Sequence, residues 1–500
     1  MMKNMLKYVI VGVLLCPFMF MFVFMATTSC SDFEEINTNP NRVSFGNVTA
    51  TKLLQNIIYD GVWQIHYNSW RINGDLIQYS MRTSNTYELV SNYEVRTSTP
   101  LSIWRGLYRW AAAADHMYHV ALGQEDANGQ AIALTLKVFY AENLTAIFGD
   151  IPFSEGFQWA DEVYYPVFDT QAEIYAKMLA ELDNANFLYN QSQSLDYPTR
   201  DLLFGGDIRK WQKFTNSLRL RLLLRVSKCT EIDAPSEIDF MLSNPTLYPI
   251  FASNADGAIL RYTGDAPFFN QFGPSGTYDS MSTNSRLCKT LTDIMNACSD
   301  PRLPFYATLR NGGYEGLLAG QTFNYVEANL STATYHAASL STNTAPSTLM
   351  SYAELLFIRA EAAMRGWTSE DPRSMYEAAV TAAVRQYVGE NALLTAMLTP
   401  PSTAAYEGTL KQIMEQKYVA QFLAGFESWC DYRRTGWPVM TIGPAMTNFD
   451  AYGNPTLPTR LTYPVITQTT NSENYQKAVE RMGGTNNMLT KVWWASGTRY

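Results

Sequence analysis

Histidine is scarce in this chain and cysteine is unpatterned, which removes most metal and nucleophile chemistry at the outset. Only four histidines occur in 500 residues. Two of them lie in "DHMYH", where His116 and His119 could share a metal with Asp115. No third well-placed ligand accompanies them, so surface or helix-packing histidines are expected and no metal is assigned. Beyond Cys16 and Cys30 the cysteines are Cys229, Cys288, Cys298 and Cys430, with no CxxC pair and no metal-ligand spacing. A Cys288–Cys298 disulfide fits an oxidising compartment; four buried free thiols are the expectation. The chain also lacks a Walker loop, a GxGxxG turn, HExxH, GxSxG and an EF-hand loop. Two opposed carboxylates would suffice for a glycosidase, but 46 acids supply too many pairs to discriminate. No catalytic set and no cofactor site emerge.

Basic charge is short as well. Residues 1–29 carry Lys3 and Lys7 and no acid, and without them 35 basic face 46 acidic residues, a formal net charge of −11. Such a surface is not steered toward nucleic acid or anionic lipid. What is abundant is aromatic: 31 Tyr and 11 Trp within a 13% aromatic content. These side chains pair apolar area with a polar tip, which suits a ligand-contacting surface as well as a core.

The start of the chain is a processing signal by pattern. Two lysines precede an almost unbroken apolar run from Tyr8 to Ala26, followed by small polar residues. Pro17 interrupts that run and weakens it as a continuous membrane helix. Thr27-Thr28-Ser29-Cys30 resembles a bacterial lipobox, with Thr27 where a Leu is usual. Residues 1–29 are therefore expected to be a lipoprotein signal peptide, with Cys30 acylated as the mature N-terminus. The rival reading is a plain N-terminal anchor helix. Residues 30–45 form a tether whose Ser31-Asp32-Phe33-Glu34-Glu35 resembles the acidic surface-export tag of lipoproteins in the Bacteroidota. Residues 46–500 are the body.

Helical periodicity dominates that body. Asp207 is a good N-cap for a helix carrying Trp211, Phe214, Leu218 and Leu222 at spacings of three and four. Arg219, Arg221 and Arg225 on the same helix are expected to be solvated or paired with acids of a neighbouring helix. "MSYAELLFIRAEAAMRGW" puts Tyr352, Leu356, Ala360 and Ala363 on one face and Glu354, Glu361 and Arg365 on another, with Gly366 as the stop. After a turn, Tyr376, Ala379, Val380, Ala383, Val384 and Tyr387 form a second stripe. Such a pair, with alanines at its crossing, looks like a tetratricopeptide unit. Further helices are expected over 103–122, 131–148, 170–188 and 407–425. Long polar, glycine-rich loops over 66–100, 251–285 and 310–348 read as functional segments.

Six stretches in order resemble one family, the SusD/RagB-like outer-membrane lipoproteins, and its SusD-like 2 branch in particular. They are "INTNPNRV" (36–43), "FGDIPFSEGF" (148–157), "WQKFTNSLRLRLLLR" (211–225), "SYAELLFIRAEAAMRGW" (351–367), "FESWCDYRRTGWP" (426–438) and "RLTYPVITQTTNSENYQKAV" with "KVWW" (460–479, 491–494). The resemblance implies a mainly α fold of tetratricopeptide-like helix pairs with an irregular loop-rich lobe around 66–100 and 251–348. It also implies a non-enzymatic lipoprotein on the outer membrane. Such a protein captures an oligosaccharide, or a peptide, and acts as the lid of a TonB-dependent transporter.

These blocks build scaffold, so the ligand contacts must come from loops. Sugars stack their CH faces on aromatic rings while Asn, Gln, Arg and Asp bond the hydroxyls. The loop 75–96 supplies Tyr79, Arg82, Tyr87, Asn92 and Tyr93; the loop 264–279 supplies Asp265, Phe268, Phe269, Asn270, Gln271 and Tyr278. Pinning of these rings to the body is the competing expectation for each. A surface hydrolase and a protein-binding scaffold are the rivals of another class. Lipidation is tested by mass spectrometry of the mature N-terminus: the wild type should begin at an acylated Cys30, and Cys30→Ala should remain unacylated with its signal uncut.

Overall fold

Apolar stripes, side-chain caps and glycine stops cut the chain into helices, and a computed structural model shows how they stack. It describes residues 48–500 except 85–88, 159–161 and 279–280. Cys30, the signal, the tether and Tyr87 lie outside the described residues. Helices of nine or more residues are α1 Ala50–Asn68, α2 Ser98–Gly123, α3 Ala127–Phe148, α4 Gln171–Leu188, α5 Ile208–Val226 and α6 Ala234–Ser243. They continue as α7 Lys289–Ala297, α8 Tyr352–Met364, α9 Pro372–Val388, α10 Leu410–Ala420, α11 Glu427–Thr435 and α12 Ser472–Arg481. The short strands are β1 Ser80–Arg82, β2 Ala258–Leu260, β3 Ser285–Leu287 and β4 Ser347–Met350.

The expected mainly α fold is found. Within the body Ala50–Tyr500, α2 packs on α3, α3 on α4, α4 on α5, and α8 pairs with α9. Local chemistry sets the boundaries. Asp126, Asp207, Ser351 and Asp371 each accept a backbone N–H in the first turn of the helix that follows, and Thr170 with Glu173 forms a capping box on α4. Gly149, at φ 92°, stops α3, and Asp150 there accepts the Gln171 N–H and pairs with Arg481. Helix α3 is long and apolar enough to cross a membrane, but it is buried inside the body as its central helix.

One expectation changes, and two alternatives left open are decided. The loop 66–100 is shorter than its composition suggests: α1 runs to Asn68 and continues through a π turn, Ser69–Asn73, before β1 pairs antiparallel with β3. Polar residues such as Asn68, Ser69 and Asn73 imitate a loop, although they are buried. The first alternative, solvated or paired arginines, is decided for pairing. Arg221 and Arg225 are not solvated but enclosed, and Glu354 and Glu361 are buried with them. Arg221 grips Glu354 through two bonds of 2.7 and 2.8 Å, and Arg225 holds Glu427 at 2.5 and 2.6 Å and also bonds Glu142. Arg219 is buried as well, but its partners Asp183 and Glu237, at 2.8 and 2.9 Å, reach the surface. The second concerns the thiols: Cys288 and Cys298 are free and buried, as are Cys229 and Cys430, which is the expected state of all four.

A second set of buried charges closes the far end. Arg434 on α11 bonds Glu361 on α8 at 2.5 and 2.7 Å and Asp431 at 3.0 Å, and Lys417 on α10 reaches Asp431 at 2.7 Å. Burial alone would raise the Asp431 carboxyl, but Lys417 and Arg434 outweigh it and hold it down at about 2. Its folded value therefore lies below the unfolded one, so its stabilisation is complete above about pH 4 and is lost as pH falls toward 2. The difference amounts to roughly 2 kcal/mol. Melting temperature should drop over that window, and Asp431→Asn, less stable at neutral pH, should show a shallower acid decline.

The stripe on α5 faces inward as expected: Trp211, Phe214, Leu218 and Leu222 are fully buried. The Trp211 ring packs edge-on against Phe204, and its Nε1 donates to Asp201 at 2.8 Å. Trp211→Ala should cost about 3–5 kcal/mol from the lost ring, while Asp201 keeps the N–H groups of Leu203, Phe204 and Gly206. Denaturant unfolding measures it, and stability equal to wild type would reverse the assigned orientation of α5.

Candidate functional site

One face of α1 is buried, through Leu54, Ile57, Ile58, Val62 and Ile65. The opposite face carries Tyr59, Asp60, Trp63, Gln64 and Tyr67 at spacings of one, three and four, partly open to solvent. Helix α2 runs beside it and presents Arg105, Arg109 and Trp110. The two approach closely at Gly106, where any Cβ would collide with the Gln64 side chain. Gln64 accepts from Trp110 Nε1 at 3.0 Å, which holds the indole at the edge of the gap. Asp60, raised by burial and countered by Arg109, sets a carboxylate opposite the arginines.

The gap is a groove of about 710 Å³ lined by Asp60, Trp63, Gln64, Tyr67, Arg105 and Arg109, and it ends at Tyr278. Tyr278 also belongs to a second groove of about 590 Å³, with Pro274, Thr308, Tyr335, His336 and Ser341 on its walls. Its ring is 43% exposed and rests on Tyr67 and Trp63, with centroids 4.7 and 5.6 Å away. Phe272 supports Trp63 from below at 4.8 Å. A ridge of rings with one open flat face thus separates two polar-edged grooves. In the second, Tyr335 lies between Arg286 and Arg310, whose guanidinium carbons are 3.5 and 4.9 Å from the ring centroid.

The loop that carries Tyr278 is held by its own polar residues. Asn270 Nδ2 donates to the Ala345 carbonyl at 2.7 Å, and its Oδ1 accepts the Phe272 N–H at 2.8 Å. Gln271 Oε1 takes the Thr277 N–H and hydroxyl at 3.3 and 3.1 Å, and its Nε2 reaches Tyr59 Oη at 3.2 Å. Asn343 crosses from the facing loop to Ser275 and Gly264. Gly273 and Gly276 are required there, since a Cβ on either would enter the Asn343 or Gln271 backbone. The loop is a braced platform.

The sequence-nominated residues therefore separate into groups. Tyr278 stands at the site, with Phe268 packed edge-on against Tyr59 at 5.3 Å and Phe269 lending its carbonyl to the Tyr59 hydroxyl. Asp265 is exposed on the same loop, beyond the residues that line the grooves. Asn270 and Gln271 frame the loop. The first nominated loop points inward instead. Tyr79 is 1% exposed, stacked on Tyr418 at 4.2 Å and bonded to the Tyr418 carbonyl. Tyr93 is equally buried, at φ 63°. Arg82 lies buried over the Trp70 ring at 4.6 Å, and the Asn92 carbonyl takes the Thr447 N–H and hydroxyl. These four pin the loop to the body, which corrects the expectation that they meet ligand. The α1 stripe was missed, and its signal is legible afterwards: aromatics at helical spacing on the face opposite the apolar stripe.

The "DHMYH" histidines line a third cavity of about 690 Å³ between α2, α3 and α4. There Lys137 bonds Asp115 and Glu181 at 3.2 and 2.8 Å, and His119 contacts Asp115 at 3.4 Å. Among the described residues no three His, Cys, Asp or Glu side chains converge as a metal site.

Stacked helix pairs of this kind are the fold shared with solved SusD homologues. The particular family follows from the sequence: the chain belongs to SusD-like 2, described as "Starch-binding associating with outer membrane", whose profile matches residues 40–464. Among solved structures it is similar to a chitin-binding protein at 27% identity, TM-score 0.75, over 90% of this chain and 99% of that one. A chitin-binding SusD homologue from Flavobacterium johnsoniae matches at 22% identity and TM-score 0.77, over 90% and 99%. A SusD homologue from Bacteroides fragilis matches at 23% and 0.77, over 90% and 100%. No curated protein matches.

Proposed function

We propose that this protein captures an oligosaccharide at the cell surface and hands it, as a lid, to a TonB-dependent outer-membrane transporter. It does so without catalysis, held to the membrane by an acylated Cys30. The observation that carries the reading is Tyr278: an open ring backed by Tyr67 and Trp63, standing between two grooves edged by arginine, amide and hydroxyl groups. A neutral sugar offers no charge to attract, so its CH face must find a flat ring and its hydroxyls must find donors and acceptors in reach. Arg105, Arg109 and Gln64 supply those on one side, and Thr308 and Ser341 on the other. The likeness to a chitin-binding protein at 27% identity supports β-linked amino-sugar oligomers as the first glycans to try. Membership of an outer-membrane-associated family supports the location, and the lipobox supports the anchor.

Calorimetry against chito-oligosaccharides, starch fragments and peptides tests the reading. Tyr278→Ala should weaken the bound glycan by about 1–2 kcal/mol, from lost stacking and apolar burial, with the melting temperature nearly unchanged. Tyr93→Ala, by contrast, should lower the melting temperature, because its ring is enclosed. Binding of peptides alone would reassign the cargo, turnover of a glycan would make the protein an enzyme, and wild-type affinity in Tyr278→Ala would move the site.

A further inference from the structure

Behind the ridge lies a smaller cavity of about 270 Å³, lined by none of the residues named for the two grooves. Three rings enclose it: Tyr306 lies 4.6 Å from Phe422 and 5.3 Å from Tyr387, centroid to centroid. Leu423 adds an aliphatic wall and holds φ 62°, a left-handed conformation uncommon for a bulky residue. The mouth opens between Ser339, Thr344, Pro346 and Gln386, the first three exposed.

His66 closes the cavity from α1. It is 4% exposed, and neither ring nitrogen makes a well-formed hydrogen bond among the described residues. Burial pushes the imidazole down to about 4, with the Leu423 backbone offsetting part of that, so the ring is neutral at ordinary pH. A neutral imidazole carries one N–H and one bare nitrogen. The Leu423 backbone favours the N–H on its own side, which leaves the other nitrogen an acceptor in want of a donor. The Tyr306 hydroxyl cannot serve, since it donates to the Val419 carbonyl at 3.2 Å.

We propose that this cavity is a second binding site, separate from the glycan grooves, for a small uncharged aromatic molecule that donates one hydrogen bond, of the phenol or indole type. His66 receives that bond while Tyr306, Tyr387 and Phe422 surround the ring. Of the polar side chains on its walls, Ser339, Thr344 and Gln386 gather at the mouth, while the inner walls are the rings of Tyr306, Tyr387 and Phe422 with Leu423. The site adjoins the ridge without sharing it: His66 packs on Phe272 and Trp63 at 5.6 and 5.9 Å.

Ligand-observed NMR and calorimetry test this with phenol and indole as probes and toluene as the shape control. Wild-type protein should bind phenol saturably with one site, about tenfold or more tighter than toluene, the factor expected for one hydrogen bond to a buried acceptor. His66→Leu should erase that preference while still taking toluene. Gln386→Trp, a change on the outer face of α9 that closes the mouth, should lose both probes and keeps the test open should His66→Leu fail to fold. Tyr278→Ala should bind phenol as wild type does, whatever happens to its glycan affinity, which separates this site from the proposed function. Absence of saturable phenol binding, equal affinity for toluene, or loss of phenol in Tyr278→Ala overturns the proposal.

Discussion

Two arginines inside a helix, Arg221 and Arg225, are the constraint on which the rest of the body depends. They lie one turn apart on α5 and are enclosed, so each must find carboxylates on neighbouring elements or remain a bare charge in a low-dielectric interior. Glu142 of α3, Glu354 of α8 and Glu427 of α11 meet them. Removing one member of such a cluster typically costs about 3–5 kcal/mol, because the partners stay buried and unpaired. The cluster is short of positive charge by one, three carboxylates to two guanidiniums. Burial and the nearby Glu427 accordingly push the Glu142 carboxyl upward despite both arginines. Apolar packing would tolerate α3, α8 or α11 sliding by a fraction of a turn along α5. Bidentate pairs at 2.7 and 2.8 Å do not.

From that lock the site follows by contact. Fixing α3 fixes α2, which packs along it, and also α1, which crosses α3 where Gly61 lets the Tyr140 ring in and Tyr140 Oη donates to the Ile57 carbonyl at 2.6 Å. The spacing of α1 and α2 is the width of the first groove. The second groove depends on the braced loop, whose position is set by Asn270, Asn343 and the β2–β4 ladder beneath it. The rings of the proposed site are thus mounted on a helix and on a cross-linked loop, which would leave little ordering to be done on binding.

Much of this was legible in the chain, and the failures have physical reasons. Periodicity and caps located α2, α3, α4, α5, α8 and α9 because each carries a stripe or a side-chain cap that no other structure would use, Asp207 before Trp211 being the plainest. The burial of Glu354 and Glu361 was not legible, since a charged face at i, i+3, i+4 looks the same whether it meets water or an arginine on another helix. The ring positions failed for a related reason. Tyr79 and Tyr93 sit among polar residues, as a ligand-facing tyrosine would, but Tyr79 stacks on Tyr418, 339 residues away in the chain. Local sequence carries no trace of that partner. Tyr278 was nominated by the glycine-rich composition of its loop, although part of the brace, Ala345, Asn343 and Tyr59, is distant in sequence, and the α1 stripe was overlooked because a helix was not sought there.

The arrangement places charge and rings in the opposite sense to a simple globule. Ordinarily charge is left in water and aromatic area is hidden; here charges are paired in the centre and several rings are left at the surface. Each placement answers a need that the other could not meet. Interior pairs give a register that does not creep, at the expense of desolvation. Surface rings give a neutral, hydrated ligand the one thing water cannot offer, a flat apolar face. Left alone, exposed rings invite association between copies of the chain. The formal net charge of −9 opposes that association, and it lets Tyr278 stay open without making the surface sticky. A neutral ligand is indifferent to that charge, so on the proposed reading the same surface can repel its own copies and still admit a sugar.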